Sequence, residues 1–183
     1  MIRDVKLEDA SKLIEIVNYY IENTAINFSY DLMTVQEMES IIKEKEGIYP
    51  FLVIEENDEI LGYAYVSPFV GKQAYQFAVE TTIYLRHDMT SIGYGKKLYL
   101  KLEEVCKKMG IQQFNACIGY TQHVDKHLNN NSSEFHEHMG YKFIGKFERC
   151  GYKFHTWYDM VWYSKQLQTN NHPKNILKYK EIK

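Results

Sequence analysis

The sequence predicts an α/β fold, a mixed sheet with helices on both faces. Three observations point there. Segments of strand period and helix period follow in the order strand, two helices, three strands, helix, strand, helix, two strands. The stretch 74–120 runs from an extended segment through Gly93-Tyr94-Gly95 into a long amphipathic segment and then an apolar run, which is a βαβ unit. The length, 183 residues, suits one domain with its own core.

Ile2 to Lys6 reads as a short strand. Ala10, Leu13, Ile14, Val17 and Ile21 recur at helical spacing, with Glu8 and Asp9 in the first turn where the helix dipole favours acids, so a helix is expected over about 8–23. A loop carrying Phe28 follows. Thr34 and Glu37 form a capping box for a second helix that ends near Gly47. Phe51–Glu56 and Glu59–Phe69 are strands joined at Asn57-Asp58, a hairpin turn signal. The chain is expected to run extended from about Ala74 to Leu85. Leu98, Leu102, Val105, Cys106 and Met109 mark the next helix, and Gly110 stops it. Phe114–Tyr120 is a strand and the polar segment 121–131 a loop. Ser132 or Ser133 is expected to cap a short helix ending at Gly140. Tyr141–Arg149 and Thr156–Ser164 are the last two strands, with a turn at Cys150-Gly151-Tyr152. Residues 1–166 form the domain, and the polar, lysine-rich tail 167–183 is expected to be disordered or loosely docked.

Composition narrows the function. A formal net charge of -2 argues against general nucleic-acid binding, which wants a basic patch. No apolar run approaches the roughly 20 residues of a membrane span. Met1 leads into a charged strand with no secretory signal, and three scattered cysteines suit a reducing compartment, so a cytoplasmic location is expected. His123 and His127 stand four apart, but His-Glu-x-x-His is absent and the segment reads as a loop, so no metal is expected.

The most informative stretch is Thr90 to Gly95. A helix N-terminus leaves backbone N–H groups without partners, glycines let the backbone approach an anion, and the dipole adds positive potential, so this stretch can hold a diphosphate. The same pattern also suits a glycine-rich turn that merely starts a helix. It is neither a P-loop nor a full dinucleotide fingerprint.

The stretch Val79-Glu80-Thr81-Thr82-Ile83-Tyr84-Leu85, the turn, and Lys97-Leu98-Tyr99 resemble the GNAT superfamily, in particular its phosphinothricin and methionine sulfoximine acetyltransferase branch. Asn18-Tyr19-Tyr20-Ile21-Glu22, Asn27-Phe28, Phe135 to Tyr141, Cys150 to Lys153 and Trp157-Tyr158-Asp159 agree in order and spacing, and the resemblance covers about residues 1–165. It implies a mostly antiparallel central sheet and transfer of the acetyl group of acetyl-CoA to the amine of a small amino-acid-like molecule. It further implies that backbone at Ile83, Tyr84 and Leu85 holds the pantetheine arm, that the turn Ser91, Ile92, Gly93, Tyr94, Gly95 and Lys96 binds the diphosphate, that Asn129 helps hold the cofactor, that Glu80 is the general base, that His136 is the second catalytic residue, and that the protein is a homodimer. Three departures stand out: Thr90 replaces the family's Gln or Arg, Lys72 replaces its arginine before Ala-Tyr, and the loop from Tyr120 to Asn131 is longer.

The chemistry can be weighed residue by residue. An α-amine, with a reference pKa near 7.7–8.0, needs only a carboxylate base of raised pKa. Strand parity sets Glu80 with Gln76, Ala78, Thr82 and Tyr84 on the more polar face, and Tyr75 on the other unless a bulge intervenes. Glu80 then serves as base or as a solvated strand carboxylate, and His136 as a proton donor to the leaving thiolate or as a packing histidine. A backbone N–H near Leu85 would stabilise the carbonyl oxygen. Lys72 could meet a substrate carboxylate, with Phe28 and Tyr75 walling the aliphatic stem, or stay an ordinary solvated lysine. Two other readings of the same fold are a protein N-terminal acetyltransferase and a noncatalytic acetyl-CoA-binding module.

Overall fold

The computed structural model describes residues 1–183. β1 (Ile2–Asp4) leads through a 3-10 turn at Leu7–Asp9 into α1 (Ala10–Asn23) and α2 (Val35–Lys45). β2 (Phe51–Glu56), β3 (Glu59–Pro68) and β4 (Ala78–Leu85) follow, then α3 (Tyr94–Met109), β5 (Gln113–Tyr120), α4 (Asn131–His138), β6 (Lys142–Lys153) and β7 (Thr156–Gln166). The seven strands make one sheet in the order β1-β2-β3-β4-β5-β7-β6. Every pairing is antiparallel except β4 with β5, which α3 connects as the βαβ spacing requires.

Local chemistry sets the elements. Thr34 accepts from the Glu37 amide at 3.2 Å while the Glu37 carboxylate accepts from the Thr34 amide at 2.7 Å, so the capping box starts α2. Asn57 and Asp58 take φ of 51° and 63°, the left-handed pair a two-residue hairpin needs. α1 buries Leu13, Val17 and Ile21 with α2's Met38 and Ile42 against Phe51, Val53 and Tyr63 on one face of the sheet. α3 buries Leu98, Leu102 and Met109 against Val66, Val79, Phe114 and Ala116 on the other. Two cores, one per face, hold the sheet between them.

Three expectations need correction, and for the tail the structure decides between disorder and docking. Residues 74–77 are not strand. A 3-10 turn spans Gln73–Tyr75, because β3 ends at the rung Pro68↔Val79 and earlier residues find no partner on that side. The final hairpin turns at Phe154-His155, with φ of 51° and 60°, rather than at Cys150 to Tyr152. That earlier glycine belongs to a bulge: between the rungs Phe147↔Met160 and Gly151↔Tyr158 β6 carries extra residues, and Asp159 accepts from the Arg149 amide at 2.8 Å. α4 starts at Asn131 behind Asn130, so neither Ser132 nor Ser133 caps it. The tail is docked. The Leu177 amide bonds Met109 O, those of Tyr179 and Lys180 bond Ile48 O and Gly47 O, and Ile176, Tyr179 and Ile182 pack on the α3-side core.

Candidate active site

The parallel pair β4–β5 has only three rungs, the last Glu80↔Asn115. Beyond it the strands part. Side chains take over from the ladder at the fork: Thr81 Oγ1 bonds Asn115 O at 3.2 Å, and Asn115 Nδ2 bonds Val79 O at 3.3 Å. A gap therefore passes through the sheet, with Glu80 and Tyr84 on the α1 side and Thr81 on the α3 side. A cavity of about 260 Å³ occupies it. Glu80, Ile83 and Tyr84 line it from β4, Cys117 and Gly119 from β5, Asn27 and Phe28 from the α1–α2 loop, and Tyr99, Ser132 and His136 from the α3 side.

Glu80 stands at the fork. Its half-buried carboxyl is raised above the usual carboxylate range by desolvation alone, with no cation beside it. A carboxylate of raised pKa without an intramolecular partner is free to take a proton from a bound amine.

His136 is 3% exposed. Its Nδ1 lies 2.7 Å from Ser132 O, which can only accept, so Nδ1 carries the proton and Nε2 accepts from the Tyr99 hydroxyl at 2.9 Å. Burial depresses the imidazole pKa to about 4, so the ring is neutral at physiological pH. A proton-donating imidazolium is not the form the site holds, and the hydroxyl that the neutral ring anchors is that of Tyr99 on α3. Tyr99 is fully buried on the apolar stripe of α3 and only tertiary packing brings its oxygen to Thr81, at 3.1 Å, and to His136. This histidine also links stability to acidity. The unfolded chain binds its proton at about pH 6.5 and the folded chain only near 4, so the contribution is present above 6.5 and lost as pH falls to 4. Wild type is expected to lose about 3 kcal/mol more than His136→Asn across that window, measured by urea denaturation at both pH values.

The turn before α3 has Ser91 at φ 64° and Gly93, the N-cap, at φ 94°. The first helical bond is donated by Lys97 to Gly93 O, so the amides of Tyr94, Gly95 and Lys96 point out of the helix end unpaired. A Cβ on Gly93 would meet nothing within 4 Å, which leaves the turn open to a ligand. Gly95 is needed for packing instead: its Cβ would lie 3.3 Å from the Phe135 ring of α4. Ser91, Ile92 and Lys96 are exposed around this turn. At the near end the Leu85 carbonyl accepts from Tyr20 OH at 2.7 Å, and Ile83 and Tyr84 line the gap.

Other expected site residues fall elsewhere. Asn129 is exposed at the head of α4, where its Oδ1 accepts from the Asn131 amide, while its neighbour Asn130 is committed to both backbone groups of Thr121. Lys72 and Tyr75 are exposed on the β3–β4 connection and do not line the cavity, where Phe28 does. No three or more His, Cys, Asp or Glu side chains converge as a metal site. His127 is instead stacked on Phe154 at 3.7 Å and bonds Asn23 O through Nδ1.

Comparison with known proteins agrees with this geometry. Residues 2–162 match the acetyltransferase (GNAT) domain family. Phosphinothricin N-acetyltransferase of Streptomyces viridochromogenes is 30% identical over 175 residues, 96% of this chain and 92% of that protein. An L-methionine sulfoximine/L-methionine sulfone acetyltransferase of Salmonella typhimurium is 24% identical, covering 93% of this chain and 95% of its own. The crystal structure of a GNAT superfamily phosphinothricin acetyltransferase from Sinorhizobium meliloti, in complex with acetyl-CoA, superposes with a TM-score of 0.86 at 27% identity over 95% of this chain and 92% of that one.

Proposed function

The chain belongs to the GNAT acetyltransferase family, and from that premise we propose that it moves the acetyl group of acetyl-CoA to the amino group of a small amino-acid-like molecule of the phosphinothricin or methionine sulfoximine type. The observation that carries this reading is the fork: one carboxyl of raised pKa stands where β4 and β5 part, at the head of a small cavity, and the unpaired amides of α3 follow it in the chain. The relatives named for phosphinothricin and methionine sulfoximine supply the acceptor class. A cavity of about 260 Å³ is of a size to take such a molecule.

In this mechanism the amides of Tyr94, Gly95 and Lys96, with Ser91 and Ile92 beside them, bind the diphosphate, and the open edge of β4 at Ile83 and Tyr84 holds the pantetheine arm. Asn129 closes on the same ligand from the loop before α4. Glu80 removes the proton of the acceptor ammonium, directly or through one water. The amine nitrogen then bonds the acetyl carbon as the carbon–sulfur bond breaks; the second nitrogen proton passes to solvent, and the departing thiolate takes a proton from solvent. His136 acts by holding the Tyr99 hydroxyl in the gap rather than as an acid. Phe28 walls the acceptor, and Lys72 and Tyr75 are assigned to the rim, where Lys72 can reach a carboxylate.

An acceptor panel tests the assignment. Thiol release from acetyl-CoA is expected with methionine sulfoximine, methionine sulfone or phosphinothricin. Turnover of short peptides alone would instead identify an N-terminal acetyltransferase, and no turnover with any amine a binding module.

We further propose a cytoplasmic homodimer. Support for the location is that Cys106, Cys117 and Cys150 are all unpaired. Support for the dimer is β6, an edge strand paired on one side only, which exposes Phe143, Ile144 and Phe147 at 55%, 64% and 58%. Light scattering is expected to give twice the chain mass, and Phe147→Lys to shift it toward the monomer.

A further inference from the structure

The lysine at the end of β6 is not where a lysine is expected. Lys153 is 4% exposed, one residue before the final hairpin turn. Its Nζ donates to Ile21 O at 2.6 Å, Thr24 O at 2.9 Å and Asn27 O at 2.7 Å, which uses all three of its protons. No carboxylate pairs with it, and burial pushes its pKa down. The acceptors are carbonyls at the negative end of α1 and of the loop just beyond, groups that a helix end otherwise leaves to water. A buried ammonium is a costly way to fill space, because an apolar side chain of similar length carries no desolvation penalty. What the three bonds give is the shape of residues 24–28.

That segment is the acceptor-side wall of the cavity. Ile26, Asn27 and Phe28 all line it, and Asn27 Nδ2 reaches the hydroxyl of Tyr84, another lining residue, at 3.0 Å. The segment is also fitted against its neighbours without slack. A Cβ on Gly119 would lie 2.8 Å from Ala25 O, and one on Gly151 2.7 Å from the Phe28 ring. The long loop adds a further tie, since the Ala25 amide bonds His127 O at 2.9 Å.

We propose that Lys153 is a positioning residue for the acceptor amine: it holds the 24–28 segment so that Asn27 and Phe28 stand at the distance from Glu80 that the acceptor requires. The inference rests on the acetyl-transfer reading above. It separates the two substrates, because the segment borders the acceptor end of the cavity and takes no part in the turn before α3.

The test is full steady-state kinetics of the intact protein with methionine sulfone or whichever panel amine is turned over. Lys153→Met is expected to raise the acceptor KM by at least about tenfold with kcat changed by less than about threefold. The calorimetric Kd for acetyl-CoA is expected to stay within about twofold. A purely structural lysine would lower the melting temperature without this split. Gly151→Ala supplies a second arm that keeps Lys153, since its new methyl displaces the Phe28 ring from behind. It is expected to raise the acceptor KM in the same direction. A folded Lys153→Met protein with wild-type acceptor KM overturns the proposal. Should that variant not fold, an unchanged acceptor KM in Gly151→Ala overturns it. If the wild type binds acetyl-CoA but acetylates no amine, the acetyl-transfer reading itself falls, which is a different result from an active enzyme indifferent to both substitutions.

Discussion

Glu80→Gln is expected to lower kcat/KM for the acceptor by about 100- to 10,000-fold, the usual worth of a positioned general base. The amide matches the carboxylate in size and keeps the strand register at Ser67↔Glu80↔Asn115, so the cavity stays intact. What it removes is the one group there able to take the ammonium proton. Affinity for acetyl-CoA is expected to change by less than about twofold. The pH profile carries the sign. Desolvation raises the Glu80 pKa, so its protonation switches the wild type off at a pH above the ordinary carboxylate range. In Glu80→Gln that limb disappears, and the residual rate climbs with pH as free amine accumulates. A variant that keeps the wild-type profile and rate would remove Glu80 from the mechanism.

Gly93→Ala is expected to weaken acetyl-CoA binding by about tenfold. The added methyl meets no atom within 4 Å, so no clash confuses the result. The cost is conformational: φ is 94° at the N-cap of α3, a region that costs an L residue about 1–2 kcal/mol. Relief of that strain rotates the turn and withdraws the amides of Tyr94, Gly95 and Lys96 from a common focus. Because these amides are committed to no other partner, the effect is expected in ligand affinity more than in the melting temperature. Calorimetry and a thermal melt on the same sample separate the two.

Local signals were readable wherever one or two residues decide a conformation. The Thr34–Glu37 box, the Asn57-Asp58 turn and the glycine turn before α3 each rest on chemistry within four residues, and each element starts or turns where that chemistry puts it. Cys150-Gly151 shows the limit, since the same glycine signal serves a turn or a bulge and only the register against β7 decides. The site was partly legible for the same reason. Glu80 could be placed on the right face by parity. The fork that gives it a purpose is a relation between β4 and β5, joined through the whole of α3 and invisible in either strand. Tyr99 and Lys153 both stand in runs that carry the family resemblance, but no local pattern shows that the tyrosine delivers a hydroxyl to His136 or that the lysine is buried on three carbonyls. The tail reads as disordered or docked alike because its anchors, Ile176, Tyr179 and Ile182, are scattered among lysines with no periodicity.

The most direct test of the whole account is a calorimetric titration of the intact protein with acetyl-CoA. One saturable site per chain is predicted, weakened by Gly93→Ala and untouched by Glu80→Gln. A titration that shows no saturable uptake would contradict it.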